Sequence, residues 1–242
     1  MKVRLIAVTQ PEPGVFEDGE GTCEDLTTYI ARVSNPENQA NKETYPKLIG
    51  HLIGHKHWSP FDMTNMVIEV VTSKAISIQI LRHWSIHPQE FSQRYAVVEN
   101  IEDIKLRTQA VKNRQSSIGV IGTISDNGMT LSHDTTTPIN EELQWWLDES
   151  AENIRRSLQL YKKGIELGIA KECARMILPM ATATTMYLNG TIRSWMHYMD
   201  QRCDHHAQKE HRLIAEKVKI IFEQKFPNIF KAYENKRSNK PS

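Results

Sequence analysis

The stretch Met63–Arg94, MTNMVIEVVTSKAISIQILRHWSIHPQEFSQR, falls into three parts with different periodicities. Met63 to Thr72 is dense in β-branched residues, which pack well on a pleated surface, and reads as a strand. Ser73 then offers a hydroxyl cap, and Ile76, Ile80 and Leu81 form a core stripe that predicts a helix through Trp84. Residues 85–100 are expected to return as loop and strand. On such a helix Gln79, Arg82 and His83 stand at i, i+3 and i+4 and share a face. On such a strand Glu90, Ser92 and Arg94 alternate at period two and point the same way. The segment thereby gathers an amide, two guanidinia, a carboxylate, a hydroxyl and an imidazole.

Outward from this segment the pattern mixes both element types. Val3–Val8 reads as a strand, stopped by Pro11, Pro13 and Gly14. Helical spacing recurs in Leu26–Val33 and in Tyr45–His55, where Leu48, Ile49, Leu52 and Ile53 line one face. Residues 105–137 are polar, carry Gly119, Gly122 and Gly128, and are expected to form a long loop or hairpin excursion. Asn140 suits the N-cap of an amphipathic helix running to Leu167 and closed by Gly168. A short helix over Lys171–Leu178 stops at Pro179, and Met180–Leu188 follows as a strand. One long helix is expected from Thr191 to about Gln224, with Ile214, Val218, Ile221 and Phe222 as its stripe. With no internal repeat and no linker in view, residues 1–242 read as a single domain.

Bulk composition narrows the function classes. Hydrophobic residues make up 39% and charged residues 24%, ordinary for a globular protein. Thirty Lys and Arg against 29 Asp and Glu leave a formal charge of +1, so no global field draws the chain to nucleic acid or to an anionic membrane. Any anion must be bound locally. Cys23, Cys173 and Cys203 are far apart and form no Cys-x-x-Cys pair, which fits a reduced setting. The N-terminal apolar run is too short for a signal sequence and no later run approaches a membrane span, so a cytoplasmic protein is expected.

Arginine within apolar segments is the informative oddity, because a guanidinium is seldom buried without a partner. Arg82 follows Ile76-Ser-Ile-Gln-Ile-Leu, and Arg175 sits in Cys-Ala-Arg-Met-Ile-Leu-Pro. A structural ion pair, or a side chain snorkelling to solvent, accounts for either one alone. Taken with the 79–94 cluster they suit a nucleotide: guanidinia for phosphate, amide and carboxylate for base or sugar edges. A solvated polar turn is the competing account of the cluster. Ten histidines raise a metal question. His51 and His55 have helical spacing, but Leu52 stands where a His-Glu-x-x-His motif has its Glu, so no metal is expected. Neither a Gly-x-Gly-x-x-Gly turn, a Walker loop nor a nucleophile elbow is present. The residues by themselves lead to a nucleotide-like anion site and no further.

A family resemblance extends the reading. In Arg82-His-Trp-Ser-Ile-His-Pro-Gln-Glu-Phe-Ser-Gln-Arg94, Ser92 lies nine and Arg94 eleven residues beyond His83. This resembles the signature of flavin-dependent thymidylate synthases: Arg-His-Arg, seven spacer residues, Ser and, two on, Arg. Ala31-Arg-Val-Ser34, His57-Trp-Ser-Pro-Phe61, Ala174–Pro179, Arg193-Ser194 and Arg202–Glu210 resemble further blocks of the family in order. The resemblance implies an α+β fold, an antiparallel sheet with a helical layer, as in thymidylate synthase-complementing proteins. It implies FAD-dependent reductive methylation of dUMP to dTMP, with methylenetetrahydrofolate as carbon donor and NADPH as reductant, in a homotetramer with shared sites. It places dUMP against Gln79, Arg82, Glu90, Ser92, Arg94, Arg175 and Arg202, and FAD against Ser59, Arg82, His83, Trp84, Glu90, Thr191, Arg193 and His197, with His57 at the edge. Arg202 is expected to stabilise negative charge developing on the pyrimidine, and so to be the catalytic residue. Ser92 has no adjacent base to activate it and is assigned to binding. Two positions depart from the pattern: Trp84 replaces the signature's second Arg, and His197 stands where many members carry Asn.

Nine residues separate Arg193 from Arg202, about 900° of helix, which sets them on opposite faces. Either the expected helix serves two pockets in an oligomer or it breaks, and the family's tetramer favours the first. The rival readings are a non-catalytic nucleotide- or RNA-binding module using Arg107, Lys112, Asn113 and Arg114, and a metal-dependent hydrolase using the histidines.

Overall fold

A computed structural model describes residues 1–17, 19–113, 115–125, 127–133, 135 and 137–238. Arg114, named above for the RNA-binding reading, lies outside the described residues. In chain order the elements are β1 (Lys2–Val8), α1 (Cys23–Ala31), α2 (Tyr45–Gly54), β2 (Asn65–Ser73), α3 (Lys74–Ile80), β3 (Ile86–Glu90), β4 (Ile104–Gln109), β5 (Ser117–Ser125) and β6 (Gly128–Leu131). There follow α4 (Glu141–Glu166), α5 (Lys171–Ala174), β7 (Ala183–Thr191), α6 (Ile192–Arg202), α7 (Lys209–Lys225) and α8 (Pro227–Ser238). The fold is thus α+β. The chain divides into two compact units, each assembled from separated segments: Met1, Val71–Ile80 and Glu90–Met186 form one, and Lys2–Val70, Leu81–Gln89 and Tyr187–Ser242 form the other.

The second unit holds most of a four-stranded sheet of order β1-β2-β7-β3, whose β2 and β7 run on into the first unit. Neighbouring strands are tied by side chains as well as backbone. Glu69 on β2 accepts from Arg4 on β1 at 2.7 Å and from Tyr187 on β7 at 3.0 Å. α1 starts at a capping box in which Thr22 and Asp25 each satisfy the other's backbone N–H. α8 was not foreseen in the sequence. Pro227 at its first position and the i, i+4 pair Ile229 and Tyr233, both buried, were the available signal. Its N-terminus is capped from a distance, since Glu24 accepts from Ile229 N at 2.7 Å and from the Asn228 amide at 3.1 Å. Trp195 on α6 is fully buried and donates to Met66 O at 2.9 Å, which seats that helix on β2.

In the first unit, β4, β5 and β6 form an antiparallel meander within the stretch read as an excursion. Gly122 is required in it, because a Cβ there would meet Thr130 O at 2.6 Å. α4 begins with Asn140 accepting from Leu143 N at 2.8 Å and packs Ile154 with Ile101 and Ile124 of the sheet region. Gly168 follows the helix at φ +84°, as its position implied.

Three local expectations fail, each for a tertiary or side-chain reason. α3 stops at Ile80 instead of reaching Trp84, because the chain turns there to bury His83 and Ile86 and leaves Leu81 exposed. Gln79 therefore does not share a helix face with Arg82 and His83. β3 ends at Glu90, and Ser92 opens a turn whose carbonyl accepts from Tyr95 N and Ala96 N, so Ser92 and Arg94 are not strand neighbours of Glu90. The long C-terminal helix is broken between Arg202 and Lys209. There the Asp204 carboxylate accepts from His206 N at 2.8 Å, the local side-chain bond by which Asp competes with helix.

Candidate functional site

Arg202 is the last residue of α6, half-buried, and its Nε donates to His83 Nε2 at 2.8 Å. That donation needs a lone pair on Nε2, so the His83 ring is neutral with its proton on Nδ1. Burial, and then the charges of Arg202 and His197, hold the His83 pKa down to about 4. Tyr198 meets His83 edge-on at 4.9 Å between ring centroids, and His211 meets it edge-on at 5.9 Å. His211 is fully buried, with Nε2 3.1 Å from the Tyr198 hydroxyl. Burial, then Arg202 and His83, lower its pKa to about 3. Among the described residues neither Arg202, Arg82 nor Arg175 has a carboxylate at ion-pair distance. The cluster at Arg202 therefore presents one positive charge against neutral aromatic neighbours, an arrangement suited to an electron-rich acceptor.

A cleft of about 640 Å³ lies in the same unit, of the size that small-molecule sites take. Arg193, Ser194, Met196, His197 and Asp200 of α6 form one wall. Lys56, Trp58 and Ser85 come from loops, Asp62 from the end of a 3₁₀ turn, and Tyr233, Lys236 and Arg237 from α8. Thr191 caps α6 by accepting from Ser194 N, and also donates to Asp62 at 3.2 Å. Arg193 bonds the other Asp62 oxygen at 2.9 Å, so one carboxylate positions both residues. His197 Nε2 lies 2.9 Å from the Gln201 amide. Lys236 Nζ sits 4.3 Å over the Trp58 ring and donates to Ile53 O at 3.0 Å. The α8 residues were missed by the sequence reading because that helix was not identified. Of the other residues assigned to the flavin, Ser59 is exposed at the start of a 3₁₀ turn and Trp84 is 96% exposed in a turn after α3. His57 is exposed and held through its backbone N–H to Leu52 O at 2.8 Å. Four cationic side chains against two carboxylates, beside apolar Trp58 and Met196, fit a phosphorylated aromatic cofactor such as FAD.

The first unit holds Gln79, Glu90, Ser92, Arg94 and Arg175. Glu90 is ion-paired to Lys74 at 2.8 Å and accepts from Thr184 at 3.0 Å. Arg94 is exposed and pairs with Glu172 at 2.9 Å. Gln79 is half-buried in the last turn of α3, and Arg175 is half-buried at the head of a 3₁₀ turn. The structure thus brings Arg202 to His83, and Thr191 to Arg193 through Asp62. In the competing RNA-binding reading, Arg107 is tied into its own meander by Ser117 Oγ at 2.8 Å.

The thymidylate synthase complementing protein family matches residues 20–228 of this chain. A protein of Paramecium bursaria Chlorella virus 1, a probable flavin-dependent thymidylate synthase, is 44% identical over 235 residues, which cover 97% of this chain and 99% of the viral one. The flavin-dependent thymidylate synthase of Synechocystis sp. (strain ATCC 27184 / PCC 6803 / Kazusa) is 43% identical over 235 residues, covering 97% of this chain and 100% of its own. Among solved structures, the UMP/dUMP methylase PolB from Streptomyces cacaoi, bound with 5-Br dUMP, shares the fold at a TM-score of 0.72 and 19% identity, over 97% of this chain and 94% of that one.

Proposed function

Since the chain belongs to the flavin-dependent thymidylate synthases, we propose that it catalyses FAD-dependent reductive methylation of dUMP to dTMP, taking the carbon from methylenetetrahydrofolate and reducing power from NADPH. The observation that carries this reading is the guanidinium of Arg202, held at one nitrogen by neutral His83 and facing no carboxylate among the described residues. A pyrimidine that gains electron density during methyl transfer needs such a fixed donor, and preorganised charge of this kind lowers the barrier without reorganisation.

Bound FAD supplies the hydride; the chain's residues bind and orient. Ser59, Arg82, His83, Trp84, Glu90, Thr191, Arg193 and His197 are assigned to the flavin, with His57 at its edge. The cleft between α6 and α8 supports that assignment for Arg193 and His197, since both line it. Gln79, Arg82, Glu90, Ser92, Arg94, Arg175 and Arg202 are assigned to dUMP, Ser92 as ligand and not nucleophile. The family match across residues 20–228 supports reading both units as parts of one catalytic domain, which we take to act in a cytoplasmic homotetramer. Among the described residues no helix is long and apolar enough to cross a membrane. A non-catalytic nucleic-acid module is not favoured, because the relatives are enzymes.

The test is NADPH-dependent formation of dTMP from dUMP and methylenetetrahydrofolate by the purified protein, which is expected to be yellow and to release flavin on denaturation. Colourless protein that cannot be reconstituted with FAD and forms no dTMP would sink the reading.

A further inference from the structure

Arg202 and His211 are nine residues apart, so an unbroken helix would carry them about 13.5 Å along its axis and onto opposite faces. The break after Arg202 reverses that. α7 folds back against α6, and His211, in its first turn, reaches the Tyr198 hydroxyl at 3.1 Å, one helical turn before Arg202. The His83 ring then meets Tyr198 and His211 edge-on while its Nε2 accepts from Arg202.

We propose that Tyr198 and His211 are positioning residues: they fix the His83 ring, and through its Nε2 the plane of the Arg202 guanidinium. Neither reaches a ligand in this account. Both act through His83, which converts a long, flexible arginine into a donor of set direction. The idea rests on the role proposed above for Arg202, but its geometry exists without ligand. The charges that bear on His83 are Arg202 and His197 from α6, while the His211 ring from α7 and the Tyr198 ring from α6 pack against it uncharged at neutral pH. Loosening the enclosure would hydrate His83, let it protonate nearer its ordinary value, and replace the bond to Arg202 by repulsion.

The experiment compares wild type with Tyr198→Phe, His211→Leu and His211→Gln as FAD-loaded full-length proteins. The first two are expected to weaken dUMP binding and to lower kcat by about tenfold to a hundredfold. The KM for NADPH should stay unchanged, and the acid limb of dUMP binding should move up toward pH 6.5. His211→Gln, which keeps a polar group for Tyr198, should recover most of the loss. NMR of the ligand-free protein separates this from the enzymatic reading: the Arg202 Nε–H signal, sharp and protected in wild type, should exchange freely in Tyr198→Phe. An unchanged signal there overturns the inference whatever dUMP does. So does a His211→Leu protein that is merely less stable while Tyr198→Phe keeps wild-type kcat, dUMP affinity and pH profile.

Discussion

Arg202 in one unit and the pair Glu90 and Arg94 in the other are partnered in opposite ways. Glu90 is matched by Lys74 and Thr184, and Arg94 by Glu172, so each charge already has an internal partner. Arg202 is matched by a neutral imidazole instead. The difference teaches what to ask of each region. A ligand at Arg94 has to exchange one exposed partner for another, at a modest net gain because exposed ion pairs are worth little, and one at Glu90 has to displace a partly buried lysine. A ligand at Arg202 meets a charge whose strength is undivided. Catalytic effect should therefore concentrate at Arg202, and Glu90 and Arg94 should contribute orientation and affinity.

The sharpest way to break this contrast is Arg202→Ala. Turnover is expected to fall by about two to three orders of magnitude with flavin content retained, as for loss of one preorganised donor. Steady-state dTMP formation checks it, and full activity would remove the distinction between Arg202 on one side and Glu90 and Arg94 on the other.

Acid pH should also separate them. His83 and His211 have folded-state pKa values of about 4 and about 3, below the ordinary 6.5. As pH falls below about 6.5 the unfolded chain takes up protons that the folded chain refuses. The stability of the neutral rings is thus complete above pH 6.5 and is lost as pH falls through about 4 and then about 3. A Tm measured against pH should drop across that window, and His211→Leu should flatten it. A Tm profile identical in wild type and variant would contradict the buried neutral state of that ring.

Smaller effects sharpen the comparison. Lys236→Ala, which removes a cation from the α8 wall of the cleft, should weaken flavin binding about tenfold by fluorescence titration while leaving dUMP affinity alone. Smallest of all, Glu172→Gln frees Arg94 from a pair whose side chains are 66% and 54% exposed, and should change stability by no more than about 1 kcal/mol in chemical denaturation. A larger loss would show that the pair is structural and not a partner that Arg94 can give up.

Legibility followed the range of the interactions. Asn140 as a cap, Gly168 as a stop and the β-branched run before Thr72 announce themselves because each acts on backbone within a turn or a strand of itself. The strings Arg82–Arg94, Ala174–Pro179 and Arg202–Glu210 likewise declared the family, since fixed spacings are a property of the chain. The end of α3 at Ile80 did not declare itself. Ile76, Ile80 and Leu81 form a good helical stripe, and only the gain from burying His83 and Ile86 decided against continuing it.

The sequence alone determined which residues could carry the chemistry, because residue type and spacing are covalent facts. Their pairing was decided by tertiary structure. Whether Arg202 faces a carboxylate or an imidazole depends on a turn at Asp204 and on the return of α7, and whether a lysine lines the cleft depends on α8 docking under Glu24. Burial sets the protonation of His83 and His211, and burial belongs to the packed molecule and not to any segment of it.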